Sequence, residues 1–226
     1  LFLCFNITSN LEKHKNKLEN KIETQKQEIL IHNEKMLEIQ NNIITGMANL
    51  IENRDGDTGE HIKRTSAYVG LLANAAKEKG YYKNILTYNY IELLIKAAPM
   101  HDIGKICIPD AILKKPGRLT DKEFETVKSH TIEGVKLLDE LVFFQNEPII
   151  KTAKEICRWH HERYDGKGYP DGLVGDETPI SAQVVAIADV YASLTSELVY
   201  KAPLPHSEAI DMICSNKCGC FNPILL

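Results

Sequence analysis

Apolar residues recur every seven positions through the polar first quarter of the chain. One row consists of Ile22, Ile29, Met36, Ile43 and Leu50, and a second row of Leu11, Leu18 and Ile39. The step of four from Leu18 to Ile22 places the two rows at the a and d positions of one heptad repeat. No proline or glycine occurs between residues 11 and 45. The pattern predicts a long helical stalk over residues 10–52, which we expect to form a homodimer as a parallel coiled coil.

Three polar residues interrupt these rows. Lys15 occupies an a position, and Gln25 and His32 occupy d positions. Because polar seam residues weaken coiled-coil pairing, a single solvated helix is the alternative interpretation. A paired stalk would bring two copies of the following domain together and relay a signal from an upstream sensory region. Residues 1–9 begin with a short apolar stub, and we expect them to be the remnant of that upstream region.

Beyond residue 53 the apolar spacing changes to shorter helical segments. We expect these segments over residues 58–79, 86–98, 120–141, 147–162, 181–197 and 206–215. Thr120 and Glu123 have the spacing of a capping box at the start of one segment. Strand patterns are nearly absent, and the apolar stretch 184–188 fits a buried helix better than a strand. We therefore predict an all-α fold, in which residues 53–226 form a helical-bundle domain preceded by the long coiled-coil-like helix.

Composition and charge narrow the class of protein. The chain has 226 residues and six cysteines, with 27 Lys and Arg against 31 Asp and Glu, so its net charge is −4. A mildly acidic chain lacks the positive field that collects nucleic-acid phosphates, which argues against a DNA or RNA partner. No apolar run reaches the about 18 residues of a membrane span. We expect a cytoplasmic protein, tethered to the inner face of the membrane only through a missing upstream segment.

The eight histidines are unevenly distributed. Two lie in the stalk, and His206 lies in a Pro-flanked loop. The other five lie in predicted helices or at their ends, and these are His61, His101, His130, His160 and His161. A single His on an apolar face is more often a hydrogen-bonded core residue than a ligand, but five such residues, with Asp102 next to His101, favour metal binding. Imidazole and carboxylate ligands suit iron, manganese or zinc, and the size of the set indicates more than one ion.

The chemistry expected of such a cluster is hydrolysis of a phosphate ester. A carboxylate that bridges two cations leaves a water shared between them, and the pKa of that water falls toward neutral. The same cations neutralise phosphate oxygens as charge develops. Lys105 follows Asp102 by three residues, so it is expected near the same face as a further positive charge. An ordinary solvated lysine is the alternative interpretation.

The segment after the His pair predicts a shaped loop. Glycines at 166, 168 and 172 give the backbone freedom, while Pro170 restrains it. Arg163, Lys167 and Tyr169 offer cationic and stacking contacts to the phosphate or base of a nucleotide. A loop with a purely structural role is the alternative.

Ordered motifs run through most of the chain. They are Arg54-Asp55-Gly-Asp-Thr58-Gly59-Glu-His61, His101-Asp102-Ile-Gly104-Lys105, Ile108-Pro109-Asp110, Lys115-Pro116-Gly117, His130, His160-His161-Glu162, Asp165-Gly166-Lys-Gly168-Tyr169-Pro170 and Ala188-Asp189-Val190-Tyr191. In this order they resemble the HD-GYP phosphodiesterases, a bacterial branch of the HD metal-dependent phosphohydrolases. The resemblance covers residues 47–223.

This resemblance implies an all-α domain that hydrolyses cyclic di-GMP, a bacterial second messenger, to linear pGpG and on to GMP. It implies two divalent metal ions, iron or manganese. The metal ligands that it implies are His61, His101, Asp102, His130, His160, His161 and Asp189. Asp102 would bridge the ions, and Lys105 would contact the phosphate, so both are candidate catalytic residues. The segment Gly168-Tyr169-Pro170 would form part of the substrate wall.

The chain departs from the family pattern at several positions. Members with three metals carry Glu four residues before the first ligand His, where this chain has Asp57, so Asp57 is a candidate ligand of a third ion. The family has Arg where Leu198 stands. Lys201, a candidate substrate contact nearby, does not replace a bidentate Arg. Asn222 replaces the Asp of a Phe-Asp-Pro motif, and the helix expected after it is missing, which predicts a clipped C-terminus.

These departures keep two other functions open. One is a non-catalytic receptor that binds a cyclic dinucleotide and signals through the stalk. The other is hydrolysis of a different cyclic dinucleotide such as cyclic GMP-AMP. Near the end, Cys214, Cys218 and Cys220 are a candidate zinc site, with reduced incidental thiols as the alternative.

Overall fold

The computed structural model describes residues 2–55, 60–142, 145–196 and 202–226, with the backbone alone at residues 2–9 and 55. Throughout these ranges the regular structure is helical, apart from an isolated antiparallel bridge between Asp165 and Val174. The predicted all-α fold is therefore confirmed. Among the helices in the same ranges, none has the length and apolar character needed to cross a membrane.

The helices follow the chain in the order α1 (Phe2–Glu52), α2 (Glu60–Glu78), α3 (Tyr88–Ala97), α4 (Asp110–Leu113), α5 (Asp121–Lys128), α6 (His130–Asp139), α7 (Pro148–Trp159), α8 (Ile180–Thr195) and α9 (His206–Cys214). Short 3-10 helices occur at Asn53–Asp55, Ala98–Met100, Ile103–Cys107 and Gly175–Glu177. The predicted capping box at the start of α5 is present, since Thr120 Oγ1 accepts from the Glu123 N–H and the Glu123 carboxylate accepts from the Thr120 N–H.

The chain divides into two compact units, Leu1–Ile43 and Ile44–Leu226. In the first unit the two predicted heptad rows are exposed, with Leu18 and Ile29 each at 59% exposure. The pairing of two stalks stays a prediction. The second unit begins inside α1, because Ile44 packs against its hydrophobic core and Ala48 and Ile51 are buried. The last turns of α1 therefore belong to the globular unit.

The core of the second unit lies among α2, α3, α7 and α8. Each of these helices contributes fully buried side chains, such as Val69, Leu94, Ile156 and Val184. Burial of side chains of this size contributes about 1.5–3 kcal/mol each. Helix α8 is buried over most of its circumference, as the apolar stretch 184–188 predicted. This packing fixes the relative positions of α2, α7 and α8, which carry or precede polar residues of the site described below.

The prediction of a single helix over residues 120–141 is wrong, because the structure has two helices there, α5 and α6, separated at Ser129. Side chains donate hydrogen bonds to the backbone carbonyl groups at this break. Ser129 Oγ donates to the Thr126 carbonyl at 2.7 Å, and His130 Nδ1 donates to the Val127 carbonyl at 2.6 Å. Since these carbonyls have side-chain donors, the chain can turn here without leaving them unsatisfied. The break starts α6 at His130.

Candidate metal centre

Five places in the fold bring the seven predicted metal ligands together. His61 lies on α2 and Asp189 on α8, while His101 and Asp102 connect two 3-10 helices. His130 begins α6, and the His pair follows α7. The ligand atoms form two groups, each with all atoms within 4.8 Å of one another: Asp102, His130, His160 and His161 in one, and His61, His101 and Asp189 in the other. All seven residues therefore meet in one region.

Asp102 lies between the two groups. Its Oδ1 is 3.1 Å from His130 Nε2 and 3.6 Å from His160 Nε2, whereas its Oδ2 is 3.3 Å from His101 Nε2. Each oxygen thus faces a different set of imidazoles, as a carboxylate that bridges two ions requires. Burial alone would raise the pKa of Asp102, but the charges of Lys105 and His101 hold it well below its usual value. The carboxylate is therefore ionised and able to bind cations.

The backbone orients three of the imidazole rings. Each donates from Nδ1 to a carbonyl three or four residues earlier in the chain. The pairs are His101 with Ala98, His130 with Val127 and His160 with Ile156, at 2.9, 2.6 and 2.9 Å. A neutral ring that donates from Nδ1 keeps the Nε2 lone pair for a ligand. Local helix geometry therefore points Nε2 of these rings at the cluster.

In the group around Asp189, burial is outweighed by neighbouring carboxylates, which raise the pKa of two imidazoles, those of His61 and His101. Asp189 Oδ1 lies 2.9 Å from His61 Nε2 and 3.7 Å from His101 Nε2. Burial lowers the pKa of His61, but the hydrogen bond and charge of Asp189 outweigh it and the pKa is raised. Burial likewise opposes the shift at His101, where Asp102 and Asp189 raise the pKa to about 10. Without cations His101 holds a proton near neutral pH, which a metal ion would displace, and the pKa of His61 is shifted in the same direction.

The adjacent His pair has the opposite protonation. Burial lowers the pKa of His160, and burial together with the charges of His160 and His130 lowers the pKa of His161 well below its usual value. The two ring centroids are 4.0 Å apart. Neutral imidazole is the form that binds metal ions, so this pair is ready to ligate near neutral pH.

One acidic residue of the site, Glu52, was missed by sequence reasoning. Glu52 is the last residue of α1 and is only 4% exposed. Its Oε1 lies 3.6 Å from Lys105 Nζ, and it forms a third ligand group with His101 and Asp102. Burial raises the pKa of Glu52, against the charge of Lys105. Glu52 follows Ala48 by four residues, so both side chains lie on the same face of α1, and the structure buries that face. This helical spacing is the signal in the sequence that could have indicated the position of Glu52.

Lys105 lies beside Asp102 at the candidate centre, and its predicted contact with a phosphate stays a prediction. Its Nζ lies 2.8 Å from Asp102 Oδ2, and its side chain is 18% exposed. The segment that carries it is anchored by Arg54, whose guanidinium donates to the backbone carbonyls of Ile106 and Ile108 at 3.1 and 3.2 Å. Arg54 also pairs with Asp110 at 2.5 Å.

The cluster fits divalent cations. Three buried atoms in it have no hydrogen-bond partner within the part of the chain that the structure describes, namely Glu52 Oε1, His101 Nε2 and Asp102 Oδ1. Buried polar and charged atoms without partners cost free energy unless a cation or a donor meets them. Imidazole and carboxylate donors together suit divalent iron, manganese or zinc. The residues present therefore match the metal ions expected from the sequence.

Glu162 organises the loop that follows the His pair. Its carboxylate accepts hydrogen bonds from the backbone N–H groups of Asp171, Gly172 and Leu173, at 2.7, 3.0 and 3.1 Å. These three hydrogen bonds to one buried carboxylate hold residues 171–173 against the end of α7. The loop is therefore shaped, as its Gly and Pro content predicted.

Two ion pairs and one close backbone approach tighten this loop. Arg158 pairs with the Asp171 carboxylate at 2.7 Å. A Cβ on Gly168 would lie 2.3 Å from the Arg163 backbone nitrogen, so only glycine allows this close approach. Arg163 itself pairs with Asp165 at 2.8 Å, which holds its guanidinium at the loop.

The Tyr169 ring lies beside the candidate metal ligands. Its centroid lies 4.7 Å from that of the His161 ring, and the two planes differ by 29°. Burial raises the pKa of Tyr169, so its hydroxyl stays neutral. Pro170 follows through a cis peptide bond, and Lys167 is exposed. The predicted wall thus lies next to His161, and its role in substrate binding stays a prediction.

Several residues singled out from the sequence are not placed in this site. Asp57, Leu198 and Lys201 lie outside the described residues. Cys214 is exposed near the end of the chain. Within the described ranges, the groups of atoms able to hold a metal contain His, Asp and Glu but no Cys. The geometry therefore lends no support to a zinc site at the three C-terminal cysteines.

An all-helical domain that gathers five His and Asp189 around the central carboxylate of Asp102 defines a class of helical protein with a candidate metal centre. Within that class, this chain belongs to the HD domain family, whose sequence profile matches residues 34–221. The fold also resembles that of Bd1817, an HDG"Y"P protein from Bdellovibrio bacteriovorus. The TM-score is 0.52 at 22% identity, covering 75% of this chain and 51% of that one.

Three proteins of Vibrio cholerae are among its curated relatives. The chain is 40% identical to a "Probable cyclic di-GMP phosphodiesterase" and 42% identical to a "Cyclic di-GMP phosphodiesterase", over 88% and 81% of its own length. It is 34% identical to "3'3'-cGAMP-specific phosphodiesterase 2" over 84% of its length. The chain spans 46%, 37% and 34% of the lengths of these three relatives.

Proposed function

We propose that this chain is a metal-dependent phosphodiesterase that hydrolyses cyclic di-GMP to linear pGpG and on to GMP. The observation that carries the proposal is the convergence of six other His and Asp side chains and Lys105 around Asp102 in a chain of the HD domain family. The names of the relatives supply the substrate class. We also propose that the chain acts in the cytoplasm as the output domain of a signalling protein with an upstream sensory region.

The proposed cofactors are two divalent ions, iron or manganese, that share Asp102. His61, His101 and Asp189 would hold one ion, and His130, His160 and His161 would hold the other. Bound ions of this kind neutralise phosphate oxygens and lower the pKa of a nearby water. The third ion expected from Asp57 also belongs to the proposal.

Side chains around the ions are proposed to position the dinucleotide. Lys105 is partly exposed beside Asp102, so its ammonium group would donate to a phosphate oxygen. Tyr169 presents a ring next to His161 for stacking on a base. Arg163, Lys167 and Lys201 are proposed as further cationic contacts, and Gly168 and Pro170 as backbone parts of the wall.

The test is turnover by purified protein loaded with Mn²⁺ or Fe²⁺ under reducing conditions. Incubation with cyclic di-GMP should give linear pGpG, which chromatography separates from the substrate. The double variant His101→Ala, Asp102→Ala should lose both bound metal and turnover. His14→Ala, which removes an exposed stalk histidine, is the matched control and should keep both. Absence of product with either metal from wild-type protein would contradict the proposal.

Two outcomes would favour the alternatives. Tight binding of cyclic di-GMP without cleavage, unchanged in the double variant, would identify a receptor. The relative specific for 3'3'-cGAMP favours a different substrate as a second candidate function. Values of kcat/KM for cyclic di-GMP and for 3'3'-cGAMP, measured in competition, decide between the two substrates.

The stalk is proposed to make the protein a homodimer. Both heptad rows of α1 are exposed in the first unit, and a second copy would bury them as an a/d seam. Sedimentation equilibrium should give a dimer for wild type and a monomer for the double variant Ile22→Asp, Ile29→Asp. Lys26→Asp, outside both rows, is the control. A monomeric wild-type protein would exclude this arrangement.

A further inference from the structure

An aromatic and cationic cluster lies beside the metal centre. It consists of Phe124 and Lys128 on α5 and Tyr169 in the loop. The rings of Phe124 and Tyr169 are 6.5 Å apart and nearly perpendicular, at 78°. We infer that this cluster is a subsite for the guanine base of a dinucleotide whose phosphate lies at the metal ions. The inference rests on the proposed function and names the residues that select the base.

The cluster is connected to the metal ligands at two points. Tyr169 stacks on His161 with 4.7 Å between ring centroids. Lys128 precedes His130 by two residues. A base held at the cluster would therefore lie next to the metal centre that is proposed to receive the phosphate. This spacing suits a base and a phosphate that belong to the same nucleotide.

Core packing does not account for Phe124. No residue of α5 is buried, and Phe124 itself is 45% exposed. Exposure of a large aromatic ring next to a phosphate-binding centre leaves a face on which a base can stack. Stacking of this kind tolerates every base, because each base has a π face. Phe124 therefore provides affinity but no choice between guanine and adenine.

Helix α5 holds the cluster in a defined geometry. Glu123 closes the capping box at the N-terminus and pairs with Lys115 at 2.6 Å. At the other end, the Ser129 hydroxyl donates to the Thr126 carbonyl. Phe124 and Lys128 are four residues apart, so their side chains lie on the same face of this anchored helix.

Lys128 supplies the selectivity. Its Nζ lies 5.1 Å from the centroid of the Phe124 ring and 5.4 Å from that of Tyr169. Glu125 accepts one of its N–H groups at 2.6 Å, and an ammonium group has three donors. The edge of guanine with N7 and O6 presents two acceptors, whereas adenine has an amino donor in place of O6. A donor-only side chain at this position therefore favours guanine.

The test compares cyclic di-GMP with cyclic di-AMP as substrates of the metal-loaded protein. Lys128→Met keeps the apolar stem and removes the donors. It should lower the ratio of kcat/KM for cyclic di-GMP over cyclic di-AMP about tenfold, through KM for cyclic di-GMP. Metal content and kcat for cyclic di-GMP should be unchanged. Phe124→Leu should raise KM for both substrates alike.

Lys122→Met is the matched control, because Lys122 is an exposed lysine on the same helix. It should keep the wild-type ratio. Thermal melting of each variant verifies that it is folded, and Lys128→Ala repeats the test if Lys128→Met is unstable. A wild-type ratio in a folded Lys128 variant would overturn the subsite.

Failure of the proposed function is distinguishable from failure of this inference. If wild-type protein cleaves neither substrate, calorimetric titration of the Mn²⁺-loaded protein with linear pGpG and pApA replaces the kinetic assay. A preference for pGpG that falls about tenfold in Lys128→Met supports the subsite. Equal preference in wild type and variant overturns it.

Discussion

Gly104 lies where the segment carrying His101 and Asp102 crosses α6. A Cβ on this glycine would be 1.9 Å from the His130 carbonyl oxygen and 2.5 Å from the Gly134 backbone nitrogen. Both neighbours are backbone atoms, which cannot rotate away as a side chain can. Ordinary contacts of a Cβ begin at 3.4 Å. The substitution Gly104→Ala must therefore push this segment away from α6.

The size of the effect follows from these distances. Moving the segment far enough to relieve a 1.9 Å contact also separates Asp102 from His130, whose ligand atoms now lie 3.1 Å apart. Overpacking of a well-packed interior costs about 1–3 kcal/mol, and a clash with backbone belongs at the upper end. For a chain of this size a cost of about 3 kcal/mol lowers the melting temperature by roughly 6–12 °C. We expect Gly104→Ala to lose bound metal as well.

The assay measures thermal melting by circular dichroism and metal content by mass spectrometry. Gly46→Ala is the control, since nothing lies within 4 Å of a Cβ at this position in α1. Replacing a glycine inside a helix should stabilise the protein by about 0.5–1 kcal/mol. The reasoning is refuted if Gly104→Ala melts within about 1 °C of wild type and keeps its full metal content.

Three other predictions concern charged groups of the site. Lys105→Met should lower kcat/KM about 100-fold while metal content stays unchanged, because the ammonium group is proposed to contact the phosphate; equal turnover would exclude that role. Glu162→Gln removes the charge that holds three backbone N–H groups of the loop, so KM should rise by roughly threefold to tenfold at constant metal content; an unchanged KM would separate the loop from substrate binding. Mn²⁺ binding near neutral pH should release at least about one proton per chain, because the pKa of His101 is raised to about 10 without metal and the ligating ring is neutral. Metal affinity should accordingly increase with pH. Calorimetry in buffers of different ionisation enthalpy measures the number of protons released. Metal binding without proton release would contradict the protonated state of His101.

The residues of the candidate metal centre could be singled out from the sequence because their residue types are unusual where they occur. His61, His101, His130 and the His pair stand in or beside apolar helices, and five such residues together are hard to explain as hydrogen-bonded core histidines. Asp189 carried no comparable local signal, since one carboxylate in a long apolar helix also fits a hydrogen-bonded core residue. Its position was predicted through the family resemblance alone.

Other parts of the site depended on contacts that no local pattern contains. Glu52 ends a helix whose earlier turns are solvent-exposed, and only packing of the last turns against the globular unit buries its carboxylate near Lys105. Phe124 and Lys128 look like ordinary residues of a surface helix until Tyr169 is placed beside them. The break at Ser129 was missed because the apolar spacing continues across it, while side-chain hydrogen bonds to carbonyls decide the turn.

The sequence by itself determined the helical class, the heptad rows of the stalk and the chemical character of the ligands. These properties depend on residue type and on spacing within one or two helical turns, which the sequence contains directly. Only the tertiary structure decided which of the candidate ligands share a group. His61 and Asp189 are 128 positions apart and meet at 2.9 Å, because α2 packs against α8 over a common apolar core. Core packing between distant helices therefore decides how the ligands are grouped around Asp102.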